Sequence, residues 1–311
     1  ASLEFSELTR SQLPALHLLQ NLGYTYLSPR EALAQRGGRA DAVLLESVLL
    51  DWLARNNEIQ YHGQRYPFSE ANIHTAVQVL KETLSIGLLR TNESIFDLLS
   101  LGKSLPQSIN GNLKSFSLRY IDWEHPEQNV FHVAEEFAVE RRGSHETRRP
   151  DLVLFVNGIP FCVIECKSPD LKDPITQAIS QQIRNQKEDE IPALFQYAQL
   201  LLAVSGNEAK YATVGTPAKF WSVWKEESEA FEKNVKAVVD QPLSRSQIQA
   251  LYDAFPGKHR MEAVNSLNLP RVVTAQDRAI YSLCRPERLL ELAYGFTLFD
   301  AGEKKIARYQ Q

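Results

Sequence analysis

Residues 148–167 read Arg-Arg-Pro-Asp-Leu-Val-Leu-Phe-Val-Asn-Gly-Ile-Pro-Phe-Cys-Val-Ile-Glu-Cys-Lys. Two apolar runs, Leu152 to Val156 and Phe161 to Ile164, flank the dipeptide Asn157-Gly158. Asn-Gly readily adopts the positive-φ angles of a tight hairpin turn, so the stretch predicts two antiparallel strands. Neither run alternates with polar residues, which places both strands in the middle of a sheet covered on both faces. Asp151, Glu165 and Lys167 stand at the ends of these strands. Charge in such a place is costly unless it is paired or binds a metal.

The register decides whether these three residues meet. A two-residue loop pairs Val156 with Ile159 and puts Asp151 opposite Ile164, with Glu165 on the other face, because side chains alternate along a strand. A three-residue loop over Asn157 to Ile159 pairs Val156 with Pro160 and sets Asp151 directly opposite Glu165. The longer loop, or a bulge that absorbs the same offset, is therefore expected. Glu165 and Lys167, two apart, share a face in either case. Two carboxylates and an ammonium then converge at the sheet edge, as hydrolysis of a phosphodiester requires. The carboxylates suit Mg²⁺, which keeps several waters and polarises a phosphate, and the Cys166 carbonyl is placed as a further ligand. A lysine beside the metal orients or helps deprotonate the attacking water, or stabilises charge on the phosphate.

Outward from the hairpin, the preceding sequence reads as helices over 1–23, 41–56 and 69–84, with Asp41 and Ser69 as N-caps, and a short one over 94–99. Strands are expected over 115–121, 129–140 and 199–205, with an edge strand over 210–214. A helix over 174–186 follows the hairpin, with Asp173 as N-cap and Pro174 in its first turn. After Lys225 helices are expected over 226–239, 244–254 and 287–293. The fold class is α/β, a central mixed sheet flanked by helices over 1–225, followed by a helical extension over 226–311.

The 311 residues are 43% hydrophobic and 23% charged, an ordinary globular composition. No run of about 18 apolar residues marks a membrane span, and the first ten residues lack a secretory pattern. Cys162, Cys166 and Cys284 have no metal-ligand spacing and form no disulfide framework, which points to a reducing cytoplasm. A net charge of −4 argues against a protein that coats nucleic acid without help from a partner.

Pro150-Asp151 followed by Glu165-x-Lys167 after a hairpin resembles the PD-(D/E)XK nuclease signature. The run from Arg149 to Lys167, with 191–204, 207–216 and Phe220-Trp221, is similar to the nuclease segment of the restriction (motor) subunit of type I restriction enzymes. Residues 304–311 are similar to the start of that family's helicase motor, where Gln311 matches an adenine-recognising glutamine. The resemblance implies a restriction-endonuclease-like fold and Mg²⁺-dependent cleavage of double-stranded DNA. Asp151, Glu165 and Lys167 would be catalytic, with Asp151, Glu165 and Cys166 at the metal. It implies work beside methyltransferase and specificity subunits, and ATP-driven translocation for the full-length subunit alone. The sequence has no Gly-x-x-x-x-Gly-Lys-Ser/Thr loop, so 226–311 reads as a helical linker leading into a motor that is not included. The family often carries a glutamine and a tyrosine four apart on the helix after the lysine. Here they correspond to Gln181, a candidate catalytic residue for contact with substrate phosphate or a metal water, with Gln177 and Gln182 as neighbours and Asn185 in the tyrosine position. The plainer reading of Gln181 is a solvated helix face.

Weaker candidates surround this set. Glu7 and Glu46 are candidates for a further acid on an earlier helix, against the plainer reading of solvated helix charges. His17 reads as a structural histidine before a site residue. Arg141, Arg142, Arg148 and Arg149, extended by Lys172, Arg184 and Lys187, form a candidate basic rim for phosphate. Trp221 and Trp224 read as packing residues. The alternative to a nuclease is a non-catalytic module on the same fold that docks DNA or the methyltransferase core. The intact Asp151, Glu165 and Lys167 set favours the nuclease.

Overall fold

The Asn157-Gly158 turn takes two positive φ angles, 53° and 81°, in the computed structural model, which describes residues 2–82 and 86–310. Asn157 is fully buried. Its side chain accepts from the Val130 N–H (2.8 Å) and donates to the Tyr120 carbonyl (3.0 Å). A Cβ on Gly158 would lie 2.5 Å from the Leu45 carbonyl oxygen, so glycine is required there by both conformation and space.

The turn joins the two central strands of a six-stranded sheet: β1 (Thr25–Leu27), β2 (Phe131–Glu135), β3 (Leu152–Val156), β4 (Ile159–Cys166), β5 (Leu200–Val204) and β6 (Ala209–Ala212), side by side in that order. The pairs β1–β2 and β4–β5 are parallel and the others antiparallel, so the sheet is mixed, as expected. Every residue of β3 and β4 is buried. Val156 pairs with Ile159, which is the two-residue loop. The register then shifts between Pro160 and Cys162, and Val163 pairs with Val153 and Ile164 with Leu152. The bulge supplies the offset that the longer loop would have given, and the next step along the ladder sets Glu165 against Asp151.

Both faces of the sheet are covered. The helix Pro174–Asn185 packs on β4 and β5, and Leu13–Asn21 packs on β1 and β2 from the other side. The helical region is layered on the latter: Glu229–Val239 and Ala275–Cys284 pack against Leu13–Asn21, and Lys258–Asn265 reaches the turn before it. Ser69 caps its helix through the side chain, as read from sequence, and Ser244 does the same for the helix expected over 244–254.

Several expectations are corrected. The helix expected from Asp41 starts at Glu46, because Leu45 is held by its N–H on the Gly158 carbonyl (2.9 Å) and the chain from 41 to 45 runs up to that contact. The short helix at 94–99 extends over Leu88–Leu101. The strand expected over 129–140 breaks at Glu136, whose φ is +48°, into β2 and the short Val139–Glu140 pairing. The first helix has a π-turn at Leu8–Gln12. Asp173 precedes its helix at φ +51° without a side-chain capping bond. The strand expected over 115–121 lies at Asn112–Leu118 and pairs with an unexpected strand at Lys103–Ile109. A helix at Pro29–Gln35, a hairpin over 58–67, helices at Lys258–Asn265 and Ala275–Cys284, and a hairpin over 297–306 were not expected. The end of the helix expected at Leu84 lies outside the described residues. Trp221 is buried and Trp224 packs edge-on against Tyr211 and Tyr309, so both are packing residues. The three cysteines are free and buried. Among the described residues no helix is long and apolar enough to cross a membrane.

Candidate active site

Asp151, Glu165 and Lys167 meet at one end of β3 and β4. The Cys166 N–H donates to Asp151 Oδ2 at 2.7 Å, across the hairpin. Glu165 is fully buried. Its Oε2 accepts from Gln181 Nε2 (2.9 Å), and Gln181 Oε1 accepts from Lys167 Nζ (2.8 Å), so one amide joins carboxylate and ammonium. Among the described residues no donor reaches Glu165 Oε1. Burial pushes the Glu165 carboxyl well up, and Asp151 beside it adds to the rise while Lys167 opposes it. Burial raises Asp151 too. Glu7, at the end of the first helix, is pushed up to about 7 by burial and by Asp151, against Lys167 and the Ser168 backbone. Glu136 is raised by burial, with Glu135 and Asp151 adding to it. Two carboxyls this close need a proton or a cation between them. Among the described residues no three His, Cys, Asp or Glu side chains form a ready-made metal cage. The pair with its one orphaned buried oxygen fits Mg²⁺, which takes one or two carboxylates and keeps water for its other positions.

The family model described as the N terminus of the type I restriction enzyme R protein matches residues 4–220. The chain belongs to this family. A relative from Methanocaldococcus jannaschii, provisionally named as the MjaIXP type I restriction enzyme endonuclease subunit, is 29% identical over 96% of the chain and 26% of its own length. The HindI endonuclease subunit of Haemophilus influenzae, also a type I enzyme, is 25% identical over 95% of the chain and 25% of its own length. The chain thus spans about a quarter of the curated relatives it matches.

Within this R-protein N-terminal fold the other candidates separate. Glu7 lies close enough to Asp151 and Lys167 for both charges to act on it. Glu46 starts the helix that touches the Gly158 turn, at the far end of the hairpin, and pairs with Lys81 at 3.1 Å. His17 holds the Gln241 carbonyl at 2.6 Å, and the charged groups that act on it are Arg271 and Asp277, so it is structural. Gln177 bonds the Lys172 carbonyl, and Gln182 ties β4 to β5 through the Val163 and Leu202 carbonyls. Asn185 is buried and accepts from Arg184. The basic rim is thinner than its sequence. Arg148 is bidentate on Glu190, at 2.6 and 2.9 Å, and Arg141 pairs with Glu146 and Glu190, while Arg142, Arg149, Lys172 and Lys187 are exposed. Gln311 lies outside the described residues.

Sequence reading missed Glu136, Gln12 and the fully buried Glu135. Glu135 accepts from Gln12 (2.6 Å), Tyr26 (2.5 Å) and both arms of Arg260 (2.6 and 2.8 Å). The one sequence signal was the Glu135-Glu136 pair closing an apolar strand.

Proposed function

We propose that this chain is the DNA-cutting part of a type I restriction subunit, hydrolysing phosphodiesters with Mg²⁺ held by Asp151, Glu165 and the Cys166 carbonyl. The observation that carries the reading is the convergence of Asp151, Glu165, Lys167 and Gln181, with Glu165 Oε1 buried and left without a donor. This convergence supports the PD-(D/E)XK reading. When bound, Mg²⁺ supplies charge for the phosphate and lowers the pKa of its water.

The rest falls to the chain's own groups. Asp151 and Glu165 would hold the metal as carboxylates, with Lys167 balancing part of their charge. Gln181 holds Lys167 Nζ beside Glu165, where the ammonium meets developing charge on a phosphate oxygen or orients the attacking water. Glu7, ionising near neutral pH, accepts a hydrogen bond from a water at the same place. Arg149 and Lys172, exposed near the strand ends, attract the DNA backbone. Target choice, ATP-driven translocation, assembly with methyltransferase and specificity subunits and a cytoplasmic setting belong to the full-length subunit in this reading. Gln311 serves the adenine of ATP there.

Calorimetric titration of Mn²⁺ or Mg²⁺ into the chain and into Glu165→Ala tests it. Binding to the native chain that is lost in Glu165→Ala supports the reading. Equal binding in both puts the metal elsewhere and removes it.

A further inference from the structure

The first helix changes geometry next to the site. Leu3–Glu7 and Leu13–Asn21 are α-helical, and Leu8–Gln12 between them is a π-turn. Ser11 and Gln12, neighbours in sequence, are both turned inward, at 0% and 5% exposure. Such π-turns are frequent at functional places. Two residues of the helical region hold this one. Gln276, itself buried, accepts on Oε1 from Ser11 Oγ (2.8 Å) and from the Gly206 N–H (2.9 Å), and donates from Nε2 to the Ser11 carbonyl (2.8 Å). Gly206 lies two residues past Val204, whose carbonyl accepts the Lys167 N–H at 2.9 Å. Arg260 holds Glu135, and Glu135 in turn holds Gln12. On the other side of the turn, Ser6 donates to Asp170 (2.6 Å) and accepts from Ser168 (2.8 Å), which fastens the Glu7 end of the helix to the segment after Lys167.

We infer that Gln276 and Arg260 are positioning residues: through the π-turn they hold Glu7 and the Lys167 end of β4 against the Asp151–Glu165 pair. The inference rests on the metal reading above. Other bonds between the same layers end elsewhere. Tyr24, as deeply buried as Gln276, donates to the Cys284 carbonyl at 2.6 Å, a bond that does not involve Ser11 or Gly206. Hydrogen-bond partners of the ligands set the affinity of a metal site without touching the metal, and Gln276 acts one link further out, through Ser11 and Gly206. A shift of residues 258–277 detunes the site while Asp151 and Glu165 stay in place, which gives the helical region control over cutting.

The test compares Mn²⁺ binding and amide hydrogen exchange at Lys167 and Ser168 in the native chain, Gln276→Ala, Tyr24→Phe and Glu165→Ala. Gln276→Ala is expected to weaken Mn²⁺ binding by up to about tenfold, less than loss of a group bonded directly to a ligand, and to speed exchange at both amides. Tyr24→Phe, which removes a buried bond to the same helix as Gln276, leaves both unchanged. Arg260→Lys, keeping the charge, retains more affinity than Arg260→Met. Should Gln276→Ala not fold, Ser11→Ala, which removes one bond of the clamp, shows the same two changes at smaller size. Native affinity in Gln276→Ala, or an equal loss in Tyr24→Phe, overturns the inference while the metal reading stands. Absence of binding to the native chain, or binding that survives Glu165→Ala, overturns the metal reading and the inference with it.

Discussion

The Cys166 backbone N–H donates to Asp151 Oδ2 at 2.7 Å. One carboxylate of the pair is thereby fixed to the strand that carries the other, between Glu165 and Lys167. The hairpin bulge makes this possible, because without it Asp151 would face Ile164 and Glu165 would point away. The two carboxyls are held together at a cost, and that cost sets the first expectation.

Glu165→Gln removes a carboxyl that must take up a proton to stay buried beside Asp151, while keeping the bond to Gln181. In the absence of metal the variant is expected to be more stable than the native chain by about 1–2 kcal/mol, since buried charges are often replaced at a gain. Saturating Mn²⁺ should raise the melting temperature of the native chain and leave that of Glu165→Gln unmoved. Thermal denaturation with and without the ion checks both halves.

Glu7 titrates near neutral pH in the folded chain, at about 7 instead of 4.5. The folded state then binds more protons than the unfolded state between these values. Its contribution to stability is complete below about 4.5 and lost as pH rises through about 7. Glu7→Gln should flatten this fall and be more stable than the native chain at pH 8 by roughly 1 kcal/mol, because Glu7 is partly exposed and solvent screens part of the effect. Denaturant midpoints from pH 4 to pH 8, in metal-free buffer, read the difference in slope.

Arg260→Met leaves Glu135 buried without its cation, and removing one partner of such a pair costs about 3–5 kcal/mol. Pairing it with Glu135→Met should recover most of that loss. Urea denaturation of the two single variants and the double variant gives the coupling. A double variant as unstable as Arg260→Met alone would show that the pair is not the source.

Gly158→Ala puts a side chain where φ is +81° and where the Leu45 carbonyl would lie 2.5 Å away. A loss of at least about 2 kcal/mol is expected. Gly63→Ala, at a similar φ with open space around it, should cost less. The difference in unfolding free energy between the two measures the steric part.

The hairpin and its three charged residues were legible because Asn157-Gly158 fixes a turn and unbroken apolar runs fix burial, both local signals. Asp41 misled because a good capping residue was read without knowledge that Leu45 is held on the Gly158 carbonyl, a contact over a hundred residues away. Glu136 gave no local sign that its φ is positive, so one strand was read where there are two. Gln276 and Arg260 drew no reading, and the helices that carry them were not expected. Their burial comes from partners at Ser11 and Glu135, 265 and 125 positions off, and periodicity carries no information at that range. Arg148 read as part of a phosphate-binding rim for the same reason, since its bidentate partner Glu190 is remote in sequence.

The most direct test of the central claim is DNA cleavage by the assembled restriction complex carrying Asp151→Ala in its full-length subunit, with ATP hydrolysis followed in the same sample. The account predicts that cleavage is abolished while ATP hydrolysis continues at its native rate. Cleavage at the native rate would contradict it.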